Sequence, residues 1–416
     1  MPTVQVDPRS AVKRRPKDRK AQIARASAEA FSALGYHAVS MSDIASRVGI
    51  SAAGLYRHAS SKYELFRDAV ISLGEQLVEQ TAFADQATSE VSAADLLDQV
   101  IRALIDTSMA NRDSGGLYRW EGRYLNDGDQ SVLEDQIKLV NRRIQRPLAE
   151  LRPDLDSWQR WTLSSAALSV IGSIADHRAR LASADIHDVL RDLAHAVLRT
   201  ELPTIASAPG DRAEPDAAVV TATSGAAGRY EALLRVSMHL FSTQHYHETS
   251  MEDIAVAVGM PASGIYRYFT GKPELLATSF RRAADRVSGD IADVLAAEKN
   301  PERALNMLID AYVARSFADP DLATAYYAER GNLPDADRAL LHNVQVATVE
   351  AWVRLAVAAR PELPPERARF AVHAAFALVV DLGRLVGYDN TEQSRARVKT
   401  LMAAVLLQPA PARIES

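Results

Sequence analysis

The chain has 416 residues, enough for two or three domains that each bury a core of their own. It contains no cysteine, which excludes disulfides, zinc–cysteine sites and cysteine nucleophiles, and its net charge of −5 does not by itself indicate a nucleic-acid binder. The N-terminus lacks the apolar segment of a signal peptide, and the run FAVHAAFALVV (370–380) is far shorter than the roughly 20 residues that span a bilayer, so we expect a cytoplasmic protein without membrane segments.

Positive charge is concentrated at the N-terminus. Residues 1–70 carry twelve Lys and Arg against six Asp and Glu, a surplus of +6 inside an acidic chain. We predict that residues 1–16 form a basic arm, with Lys13, Arg14 and Arg15 over the DNA backbone or in the minor groove. The alternative is a solvated, disordered tail.

The segment that follows predicts a helix-turn-helix. SMSD (40–43) has the form of a capping box and should begin a helix, which Gly49 ends because glycine readily takes positive φ. Ser51 can cap a second helix that runs to His58, and SKYE (61–64) is a further capping box. Two short helices joined by a turn of about three residues form this motif, and its second helix reads the major groove.

Small residues at the start of the second helix would let the backbone approach DNA, while the tyrosine, arginine and lysine that follow suit phosphate or base contacts. In the predicted DNA-binding domain 17–70, we assign these contacts to Ser40, Ser51, Ala52, Ala53, Gly54, Tyr56, Arg57 and Lys62. The alternative is structural, with Tyr56 in a core and Arg57 as a solvated charge.

The chain carries this motif twice. Shifted by 210 residues, positions 31–66 align with 241–276 without a gap, and 18 of the 36 pairs are identical. Two copies at so long a period indicate a domain duplication. We call the predicted DNA-binding domains 17–70 and 227–280 the first and second headpiece. Contacts of the second are assigned to Ser250, Pro261, Ala262, Ser263, Gly264, Tyr266, Arg267 and Lys272.

The two headpieces differ in charge and in their reading residues. Residues 226–280 have four positive and five negative side chains, a net charge of −1. The replacements in the second helix are Ser51 by Pro261, Ala53 by Ser263 and His58 by Tyr268. We therefore predict stronger DNA binding by the first headpiece, and an operator with two related but unequal half-sites.

The remaining sequence predicts helical regulatory domains at 71–205 and 281–416, separated by a linker at 206–226 that is rich in small and polar residues. Candidate ligand-binding residues are Tyr118, Trp120, Glu121, Arg123 and Tyr124 in the first half and Tyr326, Tyr327, Glu329, Arg330 and His373 in the second. Each has a structural alternative: the aromatic residues and His373 could lie in a core, and Glu121 could pair with Arg123.

The segments SMSDIA (40–45), VGISAAGLYRH (48–58) and SKYELF (61–66) resemble the N-terminal DNA-binding domain of the TetR family of bacterial repressors. RRPKDRK (14–20) and EGRYLND (121–127) further resemble tandem members that repress actinobacterial mammalian-cell-entry (lipid-import) operons. The resemblance implies an all-α fold of two fused units, each a helix-turn-helix domain followed by a helical ligand-binding and dimerisation domain. Since family members usually act as homodimers, it implies an intramolecular pseudo-dimer, with 161–178 and 369–384 in a four-helix bundle. Further self-association stays open.

These observations predict a DNA-binding transcriptional regulator, a repressor by resemblance, which a small lipophilic effector releases from a double-stranded operator. One alternative is a regulator in which only the first headpiece reads DNA and the second half serves dimerisation. Another is a non-specific architectural DNA-binding protein, which would need basic charge spread over the chain. Since the chain has no phosphate-binding glycine loop, H-E-x-x-H or G-x-S-x-G motif, we expect no enzyme, cofactor or metal site.

Overall fold

The computed structural model describes residues 16–88, 90–203 and 226–407, and the regular structure among them is helical, without strands. The first copy forms α1 (Pro16–Leu34), α2 (Met41–Val48), α3 (Ala52–Leu55), α4 (Lys62–Gln80), α5 (Ala93–Ala110), α6 (Asp127–Leu151), α7 (Ser157–Gly172) and α8 (Ser183–Arg199). The second forms α9 (Ala226–Thr243), α10 (Met251–Val258), α11 (Ala262–Ile265), α12 (Lys272–Ala297), α13 (Pro301–Ala318), α14 (Pro320–Glu329), α15 (Asp335–Ala359), α16 (Pro365–Leu385) and α17 (Glu392–Leu407). The predicted all-α fold is confirmed.

The described residues divide into two compact units. The first runs to Glu75 and includes Asp113–Glu134, so it contains the first headpiece and the segment that precedes and begins α6. The second contains Gln76–Arg112 and the described residues from Asp135 onwards. The second headpiece therefore shares a compact unit with regulatory helices of both copies.

The spacing of apolar residues explains which helix faces are buried. In α5, Leu97, Val100, Ile101 and Leu104 recur at helical spacing, and all four are buried. In α16, by contrast, the run from Phe370 to Val380 is buried almost without interruption, because this helix has neighbours on all sides. Among the described residues, no helix has both the length and the hydropathy to cross a bilayer.

The regulatory helices of the two copies form a four-helix bundle inside the second unit, with α7 and α8 packed against α16 and α17. The Ser169 hydroxyl donates to the Asp381 carboxylate at 2.6 Å, and Arg367 pairs with Asp192 at 3.2 Å. The Arg397 guanidinium carbon lies 3.8 Å from the Trp158 ring centroid. These contacts join one copy to the other within one chain, so the predicted intramolecular pseudo-dimer is confirmed.

Two histidines from different copies stack in this interface. The rings of His177 and His373 are nearly parallel, with centroids 4.1 Å apart and an interplanar angle of 10°. Burial lowers the pKa of both imidazoles, that of His373 to about 4, and the charges of His373 and Arg112 act in the same direction on His177. Both rings are therefore neutral near pH 7.

We expect the free energy of unfolding to fall as the pH drops from about 6.5 towards 4. The unfolded chain protonates its histidines near their ordinary pKa of ~6.5, whereas the folded bundle holds the pKa of His373 at about 4. As the pH falls, the unfolded state thus binds protons before the folded state does. The stability that the two neutral histidines provide is complete above pH ~6.5 and is lost as the pH falls from there towards 4. Urea unfolding at about pH 7 and about pH 5.5 measures the difference.

The quantity to compare between variants is the difference in the free energy of unfolding between the two pH values, not the free energy at either pH. His177→Gln combined with His373→Gln should reduce this pH dependence, because neither of the two stacked rings is then left to protonate, while His195, whose pKa is also lowered by burial, stays in place. Replacing the exposed His342 by Gln controls for the loss of a histidine elsewhere. An unchanged dependence in the double variant would contradict this assignment.

Candidate nucleic-acid interface

The first helix-turn-helix begins with the capping box that the sequence predicts. The Asp43 N–H donates to Ser40 Oγ at 3.2 Å, and the Ser40 N–H donates to the Asp43 carboxylate at 2.8 Å. These bonds satisfy amides at the start of α2. The Ser40 hydroxyl also donates to the Asp43 carboxylate at 2.6 Å, and this bond, with that from the Ser40 N–H, holds the pKa of Asp43 below its usual range. The helix ends at Gly49, whose φ of 72° lies in the left-handed region.

The recognition helix α3 is shorter than the sequence predicts. Ser51 caps it, with Oγ accepting from the Gly54 N–H at 3.0 Å, but the α-helix ends at Leu55 rather than at His58. The His58 N–H bonds to the Leu55 carbonyl at 2.8 Å, an i→i+3 spacing that tightens the chain into a turn. The turn leads directly to the cap of α4, where the Ser60 N–H donates to the Glu64 carboxylate at 2.6 Å.

Residues of α3 and its turn divide between the core and solvent. Leu55 is fully buried, and Gly54 is buried against the cap, where an added Cβ would stand 3.3 Å from Ser51 Oγ. Ala52 is partly covered, whereas Ser51, Ala53, Tyr56 and Arg57 are exposed, Tyr56 by 55%. An exposed tyrosine and arginine beside the start of a recognition helix suit phosphate or base-edge contacts.

Lys62 begins α4, and its ammonium binds the turn between α1 and α2. Nζ donates to the carbonyls of Tyr36 at 3.0 Å and His37 at 3.4 Å, and it lies 4.4 Å from the Tyr36 ring centroid. Desolvation lowers the pKa of this ammonium. With two of its three N–H donors engaged, Lys62 stabilises the turn that positions α2, and its predicted contact with a phosphate would use the third donor.

The second helix-turn-helix repeats this geometry. Ser250 and Asp253 form the same reciprocal capping box, at 3.0 and 2.8 Å, and Gly259 ends α10 at a φ of 73°. Lys272 donates to the carbonyls of Tyr246 at 2.6 Å and Thr249 at 2.7 Å. The exposed members of the predicted set are Pro261, Ser263, Tyr266 and Arg267, whereas Ala262 and Gly264 are partly covered.

The two recognition helices differ in their caps and in the residues just before them. Pro261 provides no side-chain acceptor, so the Gly264 N–H bonds to the Pro261 carbonyl at 2.8 Å. In the preceding helix, exposed Arg47 corresponds to Ala257, and Ser46 corresponds to Val256, which is 78% exposed. Arg47 and Val256 were not among the contacts predicted from the sequence, although both lie in the last helical turn before the left-handed glycine and are exposed beside the recognition helix.

The predicted arm contacts Lys13, Arg14 and Arg15 lie outside the described residues. The same is true of nearly all of the predicted linker 206–226, of which only Ala226 is described, at the start of α9.

The ligand candidates of the first half lie against the first headpiece. The Glu121 carboxylate accepts from the Tyr36 N–H at 3.0 Å, and the Tyr124 ring stacks on that of Tyr36 with centroids 5.8 Å apart. Arg123 donates to the Tyr124 hydroxyl at 3.1 Å. Trp120 is buried and Tyr118 is half-buried beside them. These residues connect segment 117–124 to the turn between α1 and α2.

Three candidates of the second half lie away from any common site. Glu329 is fully buried and accepts from the Tyr246 N–H at 3.4 Å and from the Asn332 side chain at 2.8 Å, which repeats the Glu121 contact. Burial, reinforced by the Glu329 charge, raises the pKa of Tyr246 to about 12. Arg330 is exposed at the start of a 3-10 turn, and His373 stacks on His177 in the bundle.

Tyr326 and Tyr327 line a partly open cavity of about 160 Å³ whose walls come from α12–α16. Its wall is mainly aliphatic and aromatic, including Phe280, Val287 and Phe376. The Tyr326 hydroxyl donates to the Gln345 side chain at 2.7 Å, and burial raises the pKa of both tyrosines, so they remain neutral. A mainly apolar wall with a few polar groups is typical of a small-molecule site.

Both headpieces match the same family model. Residues 23–69 and 233–278 match the family described as bacterial regulatory proteins, tetR family. The HTH-type transcriptional activator FasR of Mycolicibacterium smegmatis (strain ATCC 700084 / mc(2)155) is 48% identical over 54 residues, which cover 13% of this chain and 25% of FasR. The match thus spans a quarter of the length of that relative.

Two similar solved structures each cover less than half of the chain. A regulatory protein in the tetR family from Rhodococcus RHA1 is 19% identical, with a TM-score of 0.39, and covers 44% of this chain and 95% of its own. The fatty acid degradation regulator FadR from Bacillus halodurans is 20% identical, with a TM-score of 0.37, and covers 43% of this chain and 94% of its own.

The caps of the two recognition helices offer a matched test. Ser51→Ala removes a side-chain cap from α3 and should destabilise it by about 1 kcal/mol, which corresponds to roughly fivefold faster amide exchange over residues 52–59. Pro261→Ala removes no such bond and should leave exchange over residues 262–269 nearly unchanged. Hydrogen exchange followed by mass spectrometry on the full chain measures both, and equal effects would contradict the difference in capping.

Proposed function

We propose that this chain, in which residues 23–69 and 233–278 are DNA-binding domains of the tetR family, is a sequence-specific transcriptional regulator whose single polypeptide supplies both recognition helices. The observation that carries this proposal is the repeated exposure of a tyrosine–arginine pair, Tyr56–Arg57 and Tyr266–Arg267, after equally capped helix-turn-helix segments. The four-helix bundle joins the regulatory helices of the two copies, as subunits are joined in a dimeric regulator. We propose the domain boundaries predicted from the sequence, 17–70, 71–205, 227–280 and 281–416.

The two half-sites are unequal in this proposal because the reading surfaces differ. The first headpiece presents Ser51, Ala53 and Arg47, where the second presents Pro261, Ser263 and Ala257. Each headpiece presents one hydroxyl, Ser51 or Ser263, so the difference in charge lies at Arg47, whose guanidinium can bond to phosphates or base edges, whereas Ala257 offers only apolar contact. The first headpiece therefore contributes more of the salt-dependent affinity.

The alternative in which only the first headpiece reads DNA is less well supported. A copy kept for dimerisation has no need of an exposed Tyr266, which is 52% exposed, or an exposed Arg267 at the positions of Tyr56 and Arg57. An architectural binder would need basic charge throughout, whereas the chain is acidic overall.

We propose repression as the mode of action and a small lipophilic effector in the regulatory domains. FasR, which resembles part of this chain, is named an activator. A transcription assay should therefore place the operator once over a promoter and once upstream of it, and should measure both a fall and a rise in transcript. Regulation of a mammalian-cell-entry operon stays a prediction from the sequence, and its test is binding to the DNA upstream of such an operon.

Selection of bound sites from random DNA should enrich a site with two unlike half-sites about 34–36 Å apart, or a multiple of that spacing. The mass of the complex should correspond to one 45.3 kDa chain per site. Two chains on a palindrome would instead mean that one headpiece per chain reads DNA. No enriched site at moderate salt would favour the architectural binder.

Arg57→Ala and Arg267→Ala should each weaken operator binding by about 1–3 kcal/mol, because each removes a guanidinium from a recognition surface. Arg57→Ala should affect the half-site of the first headpiece, and Arg267→Ala that of the second, as footprinting of each variant would show. Arg338→Ala, on α15 outside both headpieces, controls for net charge. Unchanged affinity for Arg267→Ala would support the reading in which the second half only dimerises.

A further inference from the structure

Two cavities of opposite character adjoin each other in the second copy. The apolar cavity of about 160 Å³ shares Asp319 and Leu322 with a second cavity of about 130 Å³ between α9 and α12. Helix α12 contributes to both, with Phe280, Ala284 and Val287 on the apolar side and Arg282 and Arg286 on the other. Together the two volumes reach the lower end of ligand pockets, roughly 300 Å³.

The second cavity is lined by more positive than negative groups. Arg235, Arg282 and Arg286 stand against two carboxyl groups, those of Glu231 and Asp319. Arg282 is neutralised by Glu231, with 2.6 Å between Nη1 and Oε1. Within the described part of the chain, neither Arg235 nor Arg286 makes a hydrogen bond or an ion pair. Two guanidinium groups thus meet in one concave site without a bound acceptor.

Asp319 lies in the wall that the two cavities share. Desolvation raises the pKa of its carboxyl group, and the charges of Arg286 and Arg235 act against that rise. In the described part of the structure, this half-buried carboxyl makes no ion pair with either arginine, and one carboxylate balances at most one of the two guanidinium charges. The electrostatic potential in the second cavity is therefore positive beside Arg235 and Arg286, and an anion that enters from solvent would bind there.

We propose that the two cavities together bind one small amphiphile, with its apolar chain among Phe280, Val287 and Phe376 and its anionic head on Arg235 and Arg286. The head is a carboxylate or a phosphate, since guanidinium groups bind both through paired N–H donors. This inference rests on the proposed function only in making the amphiphile the effector; the binding site itself stands on the cavities and their charges.

The site belongs to the second copy alone. The positions 210 residues before Arg235, Arg282 and Arg286 hold Arg25, Ser72 and Gln76, so the first copy keeps one of the three guanidinium groups. Because α9 is the first helix of the second headpiece, an anionic head bound between α9 and α12 would act on that headpiece directly. Bound ligand should therefore weaken protection of the second half-site more than that of the first.

The probes are octyl phosphate, octanoate and octanol, which share a chain and differ in the head. Calorimetry on the full chain without DNA should show that at least one anionic probe binds about tenfold or more tightly than octanol. Preference for the phosphate or for the carboxylate identifies the head. Inorganic phosphate alone should bind much more weakly, because it leaves the apolar cavity unfilled.

Variants separate the two parts of the site. Arg235→Gln with Arg286→Gln should remove the preference for an anionic head and leave octanol binding unchanged. Lys299→Gln with Arg303→Gln removes the same charge from exposed residues at the end of α12 and start of α13, and should change nothing. Ala323→Phe, in the cavity wall, should weaken all three probes; unfolding curves show whether each variant is folded.

Equal binding of octanol and both anions, or a preference that survives in the arginine double variant, would overturn the proposal. Operator binding by the free protein is measured separately. Loss of ligand preference with intact operator binding would reject the amphiphile site alone. Ligand binding without any selected operator would reject the proposed regulator and leave the site in place.

Discussion

The packing of α7 and α8 against α16 and α17 is the interaction on which the rest of the protein depends, because it joins the regulatory helices of two copies within one chain. In a two-fold symmetric dimer every contact occurs twice. The alignment of LRPDL (151–155) with ARPEL (359–363) relates Ser169 to Ala377 and Asp381 to Ser173. The related pair has neither the hydroxyl nor the carboxylate in the matching place, so the Ser169–Asp381 bond occurs once. The interface is thus specialised for pairing the first copy with the second.

The same pair of contacts links each headpiece to a segment that follows it in the chain. In both copies a lysine of the headpiece binds carbonyls of the turn before the helix-turn-helix, and a glutamate from farther along the chain binds an amide of the same turn. In the second copy, α14 ends at that glutamate, Glu329, while Tyr326 and Tyr327 of the same helix line the apolar cavity. One helix therefore contacts both the cavity and the headpiece.

Duplication has allowed the copies to diverge without loss of the common framework. Both keep the capping box, the left-handed glycine and the exposed tyrosine–arginine pair, because these features form and present the recognition helix. The distribution of charge differs between the copies: the first headpiece carries a surplus of basic residues, whereas in the second copy arginines line a cavity. A homodimer could not separate these properties, since each substitution would appear in both subunits.

The sequence by itself determined the duplication, the helical fold and the position of both helix-turn-helix motifs, because caps, glycine turns and apolar spacing act over a few residues. It also selected Tyr56, Arg57, Tyr266 and Arg267, which proved exposed. Only the tertiary structure decided that Glu121 binds an amide 85 residues away and that His373 lies in the bundle rather than in a cavity. Such contacts join segments far apart in the chain, and no local pattern records which distant group a side chain will meet.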